Sequence, residues 1–373
     1  MLKKIYIDNY KSLVNFEFEP GPVQLILGNN GAGKSSFFEG VSLLRAFLVG
    51  GIPVDLAFGA KTLTRWDSRK LQTFEATVEG NGGRYVYRVE IDHDVKKKRA
   101  MVSVESLSFD SLSLYSFTAG EAQLFRDDGS QGPKYLADWG RSGLSTVHPR
   151  GDNTRLTWFK EWMEALCCVR VDPETERTSE TEDPGPDPAF WNFPSWYRNL
   201  TQEDPASAST LVDTLKKGVM EGIEAMILLK EAEGSRSLKV DLKMNRQEGG
   251  ESSKYRFAFD ELSQGQRVLV KLYALALCAM QPGTTLILDD PVIHIALKEI
   301  QPWLNTLLDR ADDIDAQVLL ISHHPELIND LARERGVTFS REHNGPVRIK
   351  RGGFDEDTGL KPSELIARDW VDG

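Results

Sequence analysis

Both ends of the chain alternate apolar runs with polar turns in the manner of strands and helices. Near the start, the segments "KKIYIDNY", "FEFEP" and "VQLIL" predict strands, and "KSSFFEGVSLLRAFLVG" predicts a helix after a glycine-rich turn. Towards the other end, a helix, the strand "TTLILDD", another helix and the strand "QVLLISHH" follow one another. This β-α-β-α order is typical of a largely parallel sheet.

The middle of the chain shows two other patterns. Between Leu71 and Arg126, apolar and polar residues alternate, which predicts antiparallel β-structure with one solvent-facing side. Apolar residues at helical spacing then predict one helix from Thr154 and a second from Ala206 to about Lys230. The two apolar stripes consist of Leu156, Phe159, Met163 and Leu166, and of Leu211, Leu215, Val219, Ile223 and Met226. We therefore expect an α/β core that is interrupted by a mixed insert.

Three segments of unusual composition interrupt these patterns. The run "KKKR", Lys96 to Arg99, lies between strand-like segments, and we interpret it as a solvated hairpin turn. The acidic, proline-rich stretch from Asp172 to Pro188 predicts a mobile loop. The aromatic cluster after it would either stack nucleobases or form the core of a helical lid, and burial favours the core. This cluster consists of Phe190, Trp191, Phe193, Trp196 and Tyr197.

The composition is that of a soluble globular protein with one large domain or two ordinary ones. The 373 residues are 40% hydrophobic and 27% charged, and no apolar run is long enough to span a membrane. The N-terminus lacks the pattern of a signal peptide, and three cysteines form neither a disulfide framework nor a metal motif. We therefore expect a cytoplasmic protein that neither spans nor binds a membrane. The net charge of −11 argues against non-specific adhesion to DNA.

A glycine-rich turn after "VQLIL" carries the most specific motif. The letters "GNNGAGKSS" match G-x-x-x-x-G-K-[ST], with an apolar strand before them and a helix after them. Backbone N–H groups of such a turn surround phosphate oxygens, and the helix N-terminus favours their negative charge. Lys34 would contact the β- and γ-phosphates of ATP, and Ser35 would bind Mg²⁺. This phosphate turn consists of Gly28, Asn29, Asn30, Gly31, Ala32, Gly33, Lys34, Ser35 and Ser36.

Two further motifs lie nearer the C-terminus. In "ELSQGQR", Ser263 is placed to cap the apolar helix that follows. The free N–H groups of this helix start, together with Gly265, would also suit a γ-phosphate bound by another subunit. In "TTLILDD", an apolar run ends in Asp289 and Asp290. It is either an ordinary buried strand that ends in a turn or a strand that delivers two carboxylates to a metal and a water molecule.

Taken as a set, these motifs resemble those of a known ATPase class. "LSQGQ" resembles the signature motif of ABC-type ATPases, and its spacing to "LILDD" and "ISHH" is similar to theirs. The N-terminal "IDNYKSLVNFEFEPGPVQLILGNNGAGKSS" resembles the SMC/RecF-like branch. "FDELSQGQR", "EIQPWL", "LLISHHPELI" and "PSELIARDW" are similar to stand-alone bacterial AAA/ABC ATPases related to the ATPase half of OLD proteins, many of which lie in phage-defence loci.

The resemblance implies a fold and its boundaries. We expect an ABC-type P-loop ATPase head with an antiparallel β subdomain and a helical lid insert. The head would comprise residues 1–130 and 235–352, the mainly helical insert residues 131–234, and a C-terminal tail residues 353–373.

The resemblance also assigns chemistry to the two aspartates and a histidine. Asp289 would hold Mg²⁺ through a water molecule, and Asp290 would orient the attacking water. Most such enzymes carry a glutamate at the second position, and an aspartate is one methylene shorter. A misplacement of ~1 Å costs on the order of a hundredfold in rate, so we expect slow turnover. His323 matches the switch histidine that contacts the γ-phosphate.

Further residues follow from the same resemblance. Tyr10 and Lys11 would contact adenine or phosphate, and Gln72 is a weak match to the Q-loop glutamine. Ala296 occupies the place of the D-loop aspartate, which puts communication between two sites in doubt. The signature residues that would contact ATP across a dimer are Ser263, Gly265 and Gln266.

These assignments predict a nucleotide-timed clamp. Two chains would enclose two Mg·ATP molecules in a homodimer, possibly within a higher oligomer, and hydrolysis would loosen it. The clamp would control a separately encoded effector, a nuclease or other toxin. OLD-type proteins carry a C-terminal nuclease domain, and the roughly fifty residues that follow His323 are too few for one. The alternative is a RecF-like DNA-repair ATPase that binds a nucleic acid, duplex DNA, directly. A transporter subunit fits less well, since the insert is large and the Q-loop match is poor.

Overall fold

The structure, a computed structural model, describes residues 1–173, 182–230, 236–244, 253–354 and 359–368. The contacts between residues divide the chain into two compact units. Unit 1 comprises Met1–Leu166, Gly283–Thr285 and Leu327–Gly373, and unit 2 comprises Cys167–Pro282 and Leu286–Glu326. The domain boundaries expected from the sequence remain a prediction.

The strands and helices follow the predicted order at both ends of the chain. The strands are β1 (Leu2–Asp8), β2 (Phe16–Phe18), β3 (Val23–Leu27), β4 (Leu71–Gly80), β5 (Gly83–Asp94), β6 (Arg99–Phe109), β7 (Leu112–Thr118), β8 (Glu121–Phe125), β9 (Gln131–Leu136), β10 (Cys167–Val169), β11 (Ile223–Lys230), β12 (Arg236–Met244), β13 (Ser253–Ala258), β14 (Thr285–Asp289), β15 (Gln317–Ile321), β16 (Gly336–Ser340) and β17 (Arg348–Arg351). The α-helices are α1 (Lys34–Leu48), α2 (Val54–Ala57), α3 (Thr154–Ala165), α4 (Phe193–Glu203), α5 (Pro205–Thr214), α6 (Gln264–Ala274), α7 (Leu297–Asp313), α8 (Pro325–Arg335) and α9 (Pro362–Ala367).

An eight-stranded antiparallel sheet forms much of unit 1, with the order β2-β1-β4-β5-β6-β7-β8-β9. Alternate side chains of β5, from Tyr85 to His93, are buried, as the alternating sequence predicts. Helix α3 packs on this face, where the Trp158 ring stacks on Tyr85 at 4.9 Å between centroids. The mixed α/β class with an antiparallel β subdomain is therefore confirmed. The segment Lys96 to Arg99 is exposed between β5 and β6, which confirms the predicted hairpin turn.

A buried cluster of phenylalanines anchors helix α1 in unit 1. Strand β3 pairs in parallel with β16, and β17 pairs antiparallel with β16. Phe37 on α1 lies 5.8 Å from Phe339 on β16, and both rings also contact Phe16 and Phe18 on β2, with ring-centroid distances of 5.3–6.1 Å. Such edge-to-face contacts add stability beyond that of apolar burial. They fix the first turn of α1 against two strands.

In unit 2, a short parallel pair of strands carries the acidic motif. Cys167–Val169 of β10 pair in parallel with Leu286–Leu288 of β14, whose other neighbour is β15. Helix α7 lies against α6, where the Trp303 indole N–H donates to the Leu272 carbonyl at 3.1 Å. Four of the five predicted aromatic residues are at most 3% exposed, namely Phe190, Phe193, Trp196 and Tyr197. Their burial confirms the core interpretation of the aromatic cluster and leaves these rings no free face for a nucleobase.

The predicted helix from Ala206 to about Lys230 is wrong in its second half. Helix α5 ends at Thr214 and continues only as one π-helical turn, Leu215–Val219. Gly218 then adopts φ of 104°, a left-handed conformation that ends the helix. The chain continues as strand β11, which pairs antiparallel with β12. Its apolar residues satisfy a strand as well as a helix, because Ile223 and Met226 are both buried against the rest of unit 2.

Two predicted segments, the mobile loop and the C-terminal tail, lie partly outside the described residues. Residues 174–181, the acidic centre of the predicted mobile loop, lie outside the described residues, as do residues 369–373 of the predicted tail. Within the described ranges, no helix is long and apolar enough to cross a membrane.

The course of the phosphate turn depends on a close contact with strand β16. A Cβ atom added to Gly28, whose φ is 142°, would lie 2.3 Å from the Phe339 carbonyl oxygen. Gly31 has φ of 81°, but a Cβ atom there would meet no atom within 4 Å. Both glycines need a conformation that other residues rarely adopt, and only Gly28 also lacks space.

This pair of glycines yields a stability prediction. Gly31→Ala should cost about 1–2 kcal/mol of unfolding free energy through backbone strain alone. Gly28→Ala should cost on the order of 3 kcal/mol or more, because β3 must also move away from β16. Urea unfolding of the two variants measures the difference as a shift in midpoint. Equal losses would contradict the proposed contact between Gly28 and Phe339.

Candidate functional site

The phosphate turn folds into a compact loop between β3 and α1 of unit 1. Gly28, Gly31 and Gly33 all have positive φ, at 142°, 81° and 100°. The Ala32 N–H donates to the Asn29 carbonyl at 3.0 Å, which closes the turn. Its solvent-exposed tip consists of Asn29, Asn30 and Gly31. The glycines predicted to shape the turn therefore do so.

The second half of the turn is packed from outside by two loops. A Cβ atom on Gly33 would lie 2.4 Å from Cγ2 of Val347 and 3.2 Å from the Ser12 hydroxyl oxygen. The two loops are themselves joined, since the Val347 N–H donates to the Ser12 carbonyl at 3.0 Å. The turn is thus held in shape before any ligand arrives.

The start of α1 is suited to an anion. Within the described chain, no side chain caps this helix and its first turn holds no acidic residue. The positive end of the helix dipole is therefore not neutralised by the helix itself. Ser35 is exposed and Ser36 is half-buried at this end. Backbone N–H groups and a hydroxyl are the donors that a phosphate needs.

Lys34 bends back over the phosphate turn. Its ammonium group donates to the carbonyl oxygens of Gly28 and Asn29, the second at 3.2 Å. A lysine that contacts neutral carbonyls can exchange them for a phosphate, because an anionic acceptor adds a charge–charge attraction that a neutral carbonyl lacks. The predicted phosphate contact of Lys34 thus needs only a rearrangement of the side chain.

Arg341 was not predicted from the sequence, yet it holds the tip of the turn. Its guanidinium donates to the Gly31 carbonyl at 3.1 Å and lies 5.4 Å from the centre of the Trp66 ring. Trp66 is half exposed. The segment "SREHNGP" gives no motif that would reveal this contact, because it joins residues about three hundred positions apart.

Tyr10 and Lys11 occupy different environments in unit 1. The Tyr10 ring is fully buried against Phe74, and burial raises the pKa of its hydroxyl to about 12. In this conformation the ring offers no surface to an adenine base. Lys11 has φ of 50° and forms an ion pair with Glu39 on α1, where its side chain is 37% exposed. Only Lys11 of the two is accessible to a ligand.

The Gln72 side chain lies in the interior of unit 1. Its amide donates to the Asn9 carbonyl at 2.9 Å and to the Thr62 hydroxyl at 3.1 Å, and its carbonyl oxygen lies 2.9 Å from a ring nitrogen of His93. The side chain is fully buried. These contacts give Gln72 a structural role in the core of unit 1, and none of them involves a ligand.

In unit 2, Asp289 is a buried carboxylate with a cationic partner. The residue is 2% exposed at the end of β14. Nε of Arg170 donates to its Oδ2 at 2.8 Å, and Nη2 of Arg170 donates to the same oxygen. A buried carboxylate stays charged when a cation compensates it in this way. The sequence motif did not indicate Arg170, which directly follows β10.

Asp290 adopts a left-handed backbone conformation, with φ of 48°. Its N–H donates to the Ile321 carbonyl at 2.8 Å, and Nδ1 of His323 lies 3.1 Å from its Oδ1. This approach lacks hydrogen-bond alignment, so Oδ1 is buried without a hydrogen-bond partner among the described residues. The two residues predicted to act on the reacting groups are therefore neighbours. An orphaned carboxylate oxygen of this kind fits a site for a water molecule.

The predicted signature motif forms the start of α6. The Ser263 hydroxyl accepts from the Gln266 N–H at 3.3 Å, and the Gln266 side chain accepts from the Ser263 N–H at 3.1 Å. This capping box confirms the predicted N-cap. Ser263 is exposed, and a Cβ atom on Gly265 would lie 3.1 Å from the His294 carbonyl oxygen. Gly265 thus allows α6 to approach the loop after β14.

That loop exposes apolar residues beside the signature helix. Ile293 is 53% exposed and Leu297 is 64% exposed. His294 and Ala296 between them are also exposed. Adjacent exposed apolar side chains often mark a surface that binds another protein.

The available donors suit Mg²⁺ in its usual ATPase setting. Within the described ranges, no group of three or more His, Cys, Asp or Glu side chains forms a metal cage. Mg²⁺ in such proteins is commonly held by one or two oxygen donors together with phosphates and water. The Ser35 hydroxyl and the Asp289 carboxylate are oxygen donors of this type, and Asp289 is already held as a charged group. Ser35 in unit 1 and Asp289 in unit 2 are therefore each a candidate ligand of such an ion.

Comparison with known proteins agrees with this chemistry in the N-terminal part. Residues 4–132, which include the whole phosphate turn, match the family model of an AAA domain. Among solved structures, the SMC head domain from Thermotoga maritima aligns with a TM-score of 0.46 and 14% sequence identity, over 94% of this chain and 98% of that chain. No curated protein matches the chain. The part that carries the phosphate turn is therefore similar to AAA-type ATPase domains, which is consistent with ATP binding.

Proposed function

We propose that this protein binds Mg·ATP and hydrolyses it slowly to ADP and phosphate. The observation that carries the proposal is the phosphate turn. Three glycines with positive φ, an uncapped helix start, Lys34 and the exposed Ser35 lie together within the AAA match. This combination provides the backbone donors, the dipole and the cation that a triphosphate requires.

Binding engages residues of the turn in defined roles. The N–H groups of the turn and of the α1 start donate to phosphate oxygens, and Lys34 exchanges its carbonyl partners for the β- and γ-phosphates. Ser35 and Asp289 would hold Mg²⁺, and the ion would supply positive charge to the phosphate oxygens. Tyr10 takes no part, because its ring is fully buried.

Hydrolysis relies on Asp290 and His323. The carboxylate of Asp290 has a buried oxygen without a hydrogen-bond partner in the described chain, which supports a role in orienting a water molecule. His323, 65% exposed and adjacent to it, would contact the γ-phosphate. The short side chain of Asp290 limits how well the water is placed, so turnover is slow.

Two variants separate binding from hydrolysis. Lys34→Ala should weaken ATP binding on the order of a hundredfold or more, because a charge-assisted phosphate contact is lost. Asp290→Asn should bind ATP with wild-type affinity but hydrolyse it at least about tenfold more slowly, since the amide is a poor base. Isothermal titration calorimetry and phosphate release measure the two quantities.

Lys96→Ala is the matched control, because this lysine lies in the exposed hairpin turn between β5 and β6. It should leave both quantities unchanged. Wild-type affinity in Lys34→Ala would rule out the phosphate turn as the binding site. Unchanged hydrolysis in Asp290→Asn would remove Asp290 from the mechanism.

The same protein would act as an ATP-dependent dimer. Support comes from the exposed start of α6 at Ser263 and from the exposed apolar residues Ile293 and Leu297 beside it. A helix start favours the γ-phosphate of ATP bound to a second chain, and the apolar residues would be buried against that chain. Loss of the γ-phosphate removes the shared contact, so hydrolysis ends the association.

Dimerisation yields a direct prediction. Wild-type protein should become dimeric with ATP in light scattering after gel filtration, whereas Lys34→Ala and Ser263→Arg should stay monomeric. Ser263→Arg places a bulky side chain at the helix start. Ser209→Arg, the same change on an exposed residue of α5, is the control and should dimerise normally. Unchanged association in both Lys34→Ala and Ser263→Arg would exclude the dimer.

The dimer would serve anti-phage defence by holding a separately encoded effector, a nuclease or other toxin. This part of the proposal is supported by the resemblance of the C-terminal motifs to stand-alone defence ATPases. The net charge of −11 argues against the alternative, a RecF-like ATPase that binds duplex DNA.

An affinity pull-down from the native host with Mg·ATP separates these outcomes. A stoichiometric protein partner that survives nuclease treatment is the expected result. Recovery of DNA without a stable protein partner would contradict the effector proposal and favour the DNA-binding alternative. Lys34→Ala serves as the matched bait and should recover less of the partner.

A further inference from the structure

The contact between Arg170 and Asp289 is built into the strand register of unit 2. Val169 of β10 lies opposite Leu288 of β14, so the next residues, Arg170 and Asp289, are neighbours at the ends of two parallel strands. The Arg170 backbone is held as well, since its N–H donates to the Pro188 carbonyl at 2.8 Å. The ion pair therefore follows from the fold rather than from a chance side-chain position.

Arg170 contacts Asp289 through two nitrogen atoms, of which Nε lies 2.8 Å from Oδ2. The arginine side chain is 51% exposed, whereas the aspartate side chain is 2% exposed. A buried carboxylate is costly unless a cation accompanies it. Arg170 supplies such a cation.

The same carboxylate is the one that our proposed function assigns to Mg²⁺. A divalent ion and a guanidinium group repel each other at the separation that one carboxylate imposes. Coordination through a water molecule does not remove this repulsion, because the guanidinium stays beside the same carboxylate group. Full engagement of Asp289 with the metal therefore requires Arg170 to weaken or leave the contact.

We propose that Arg170 is a positioning residue that competes with Mg²⁺ for Asp289. It keeps the buried carboxylate charged and oriented in the absence of nucleotide. It also lowers the gain in nucleotide affinity that Mg²⁺ provides, because part of the binding energy goes into displacing the guanidinium. This inference rests on the proposed function, and it concerns metal dependence rather than the rate of hydrolysis.

The test is the ratio of nucleotide affinity with Mg²⁺ to that in EDTA, measured by calorimetry with a non-hydrolysable ATP analogue. Arg170→Gln removes the competing charge, so this ratio should rise on the order of tenfold, and the affinity in EDTA should stay at the wild-type value. The thermal midpoint of the variant without nucleotide should fall, since Asp289 loses a cationic partner. Arg170→Lys retains the charge without the planar fork and should give an intermediate ratio.

Arg256→Gln is a matched control in the same unit. Arg256 also contacts a fully buried carboxylate through two nitrogen atoms, at 2.7 and 3.1 Å from the two carboxylate oxygens of Asp241 on β12. Its partner belongs to no predicted metal site. Arg256→Gln should therefore lower the thermal midpoint and leave the affinity ratio unchanged.

The outcomes distinguish this inference from the proposed function. Failure of the wild-type protein to bind the nucleotide at all would overturn the proposed function and this inference with it. Normal binding with an unchanged or lowered ratio in Arg170→Gln would overturn the competition alone. Should Arg170→Gln not fold, Arg170→Lys decides the question, because a ratio equal to that of the wild type would also exclude competition.

Discussion

The contact between strand β16 and the phosphate turn is the constraint on which the candidate site depends. The Phe339 carbonyl leaves no space for a side chain at Gly28, while the Phe339 ring packs against Phe37 on α1. Phe339 thus fixes both ends of the turn. Its backbone lies against Gly28 at the start of the turn, and its side chain packs on α1, which follows the turn. Val347 and Ser12 enclose the turn from the other side at Gly33. The loop has its shape because aromatic burial holds the elements around it.

Charge is arranged differently around the two groups of candidate residues. Within the described chain, the start of α1 in unit 1 has no side-chain cap and no acidic residue in its own first turn, and Lys34 lies on carbonyls that a phosphate can replace. In unit 2, by contrast, the Asp289 carboxylate is compensated by Arg170. Under the proposed function, the phosphate turn can therefore accept an anion directly, whereas Asp289 exchanges one cation for another.

The sequence predicted the local features well, and contacts between distant segments poorly. The motif located Gly28, Lys34 and the strand–turn–helix around them because these depend on adjacent residues. Arg341 and Arg170 were missed, since each acts through a partner more than a hundred positions away. The helix predicted to reach Lys230 failed for a related reason. Apolar residues at mixed spacing suit both a helix and a strand, and pairing with β12 decided the outcome.

The aspartate at position 290 has a conformational explanation. Its φ of 48° lies in the left-handed region, which aspartate and asparagine tolerate better than other non-glycine residues. The bond from its N–H to the Ile321 carbonyl ties this conformation to strand β15. A longer glutamate would bring the carboxylate further forward but would suit this backbone less well. Reach and backbone conformation are therefore coupled at this residue, and the short side chain is the one that the local fold accommodates.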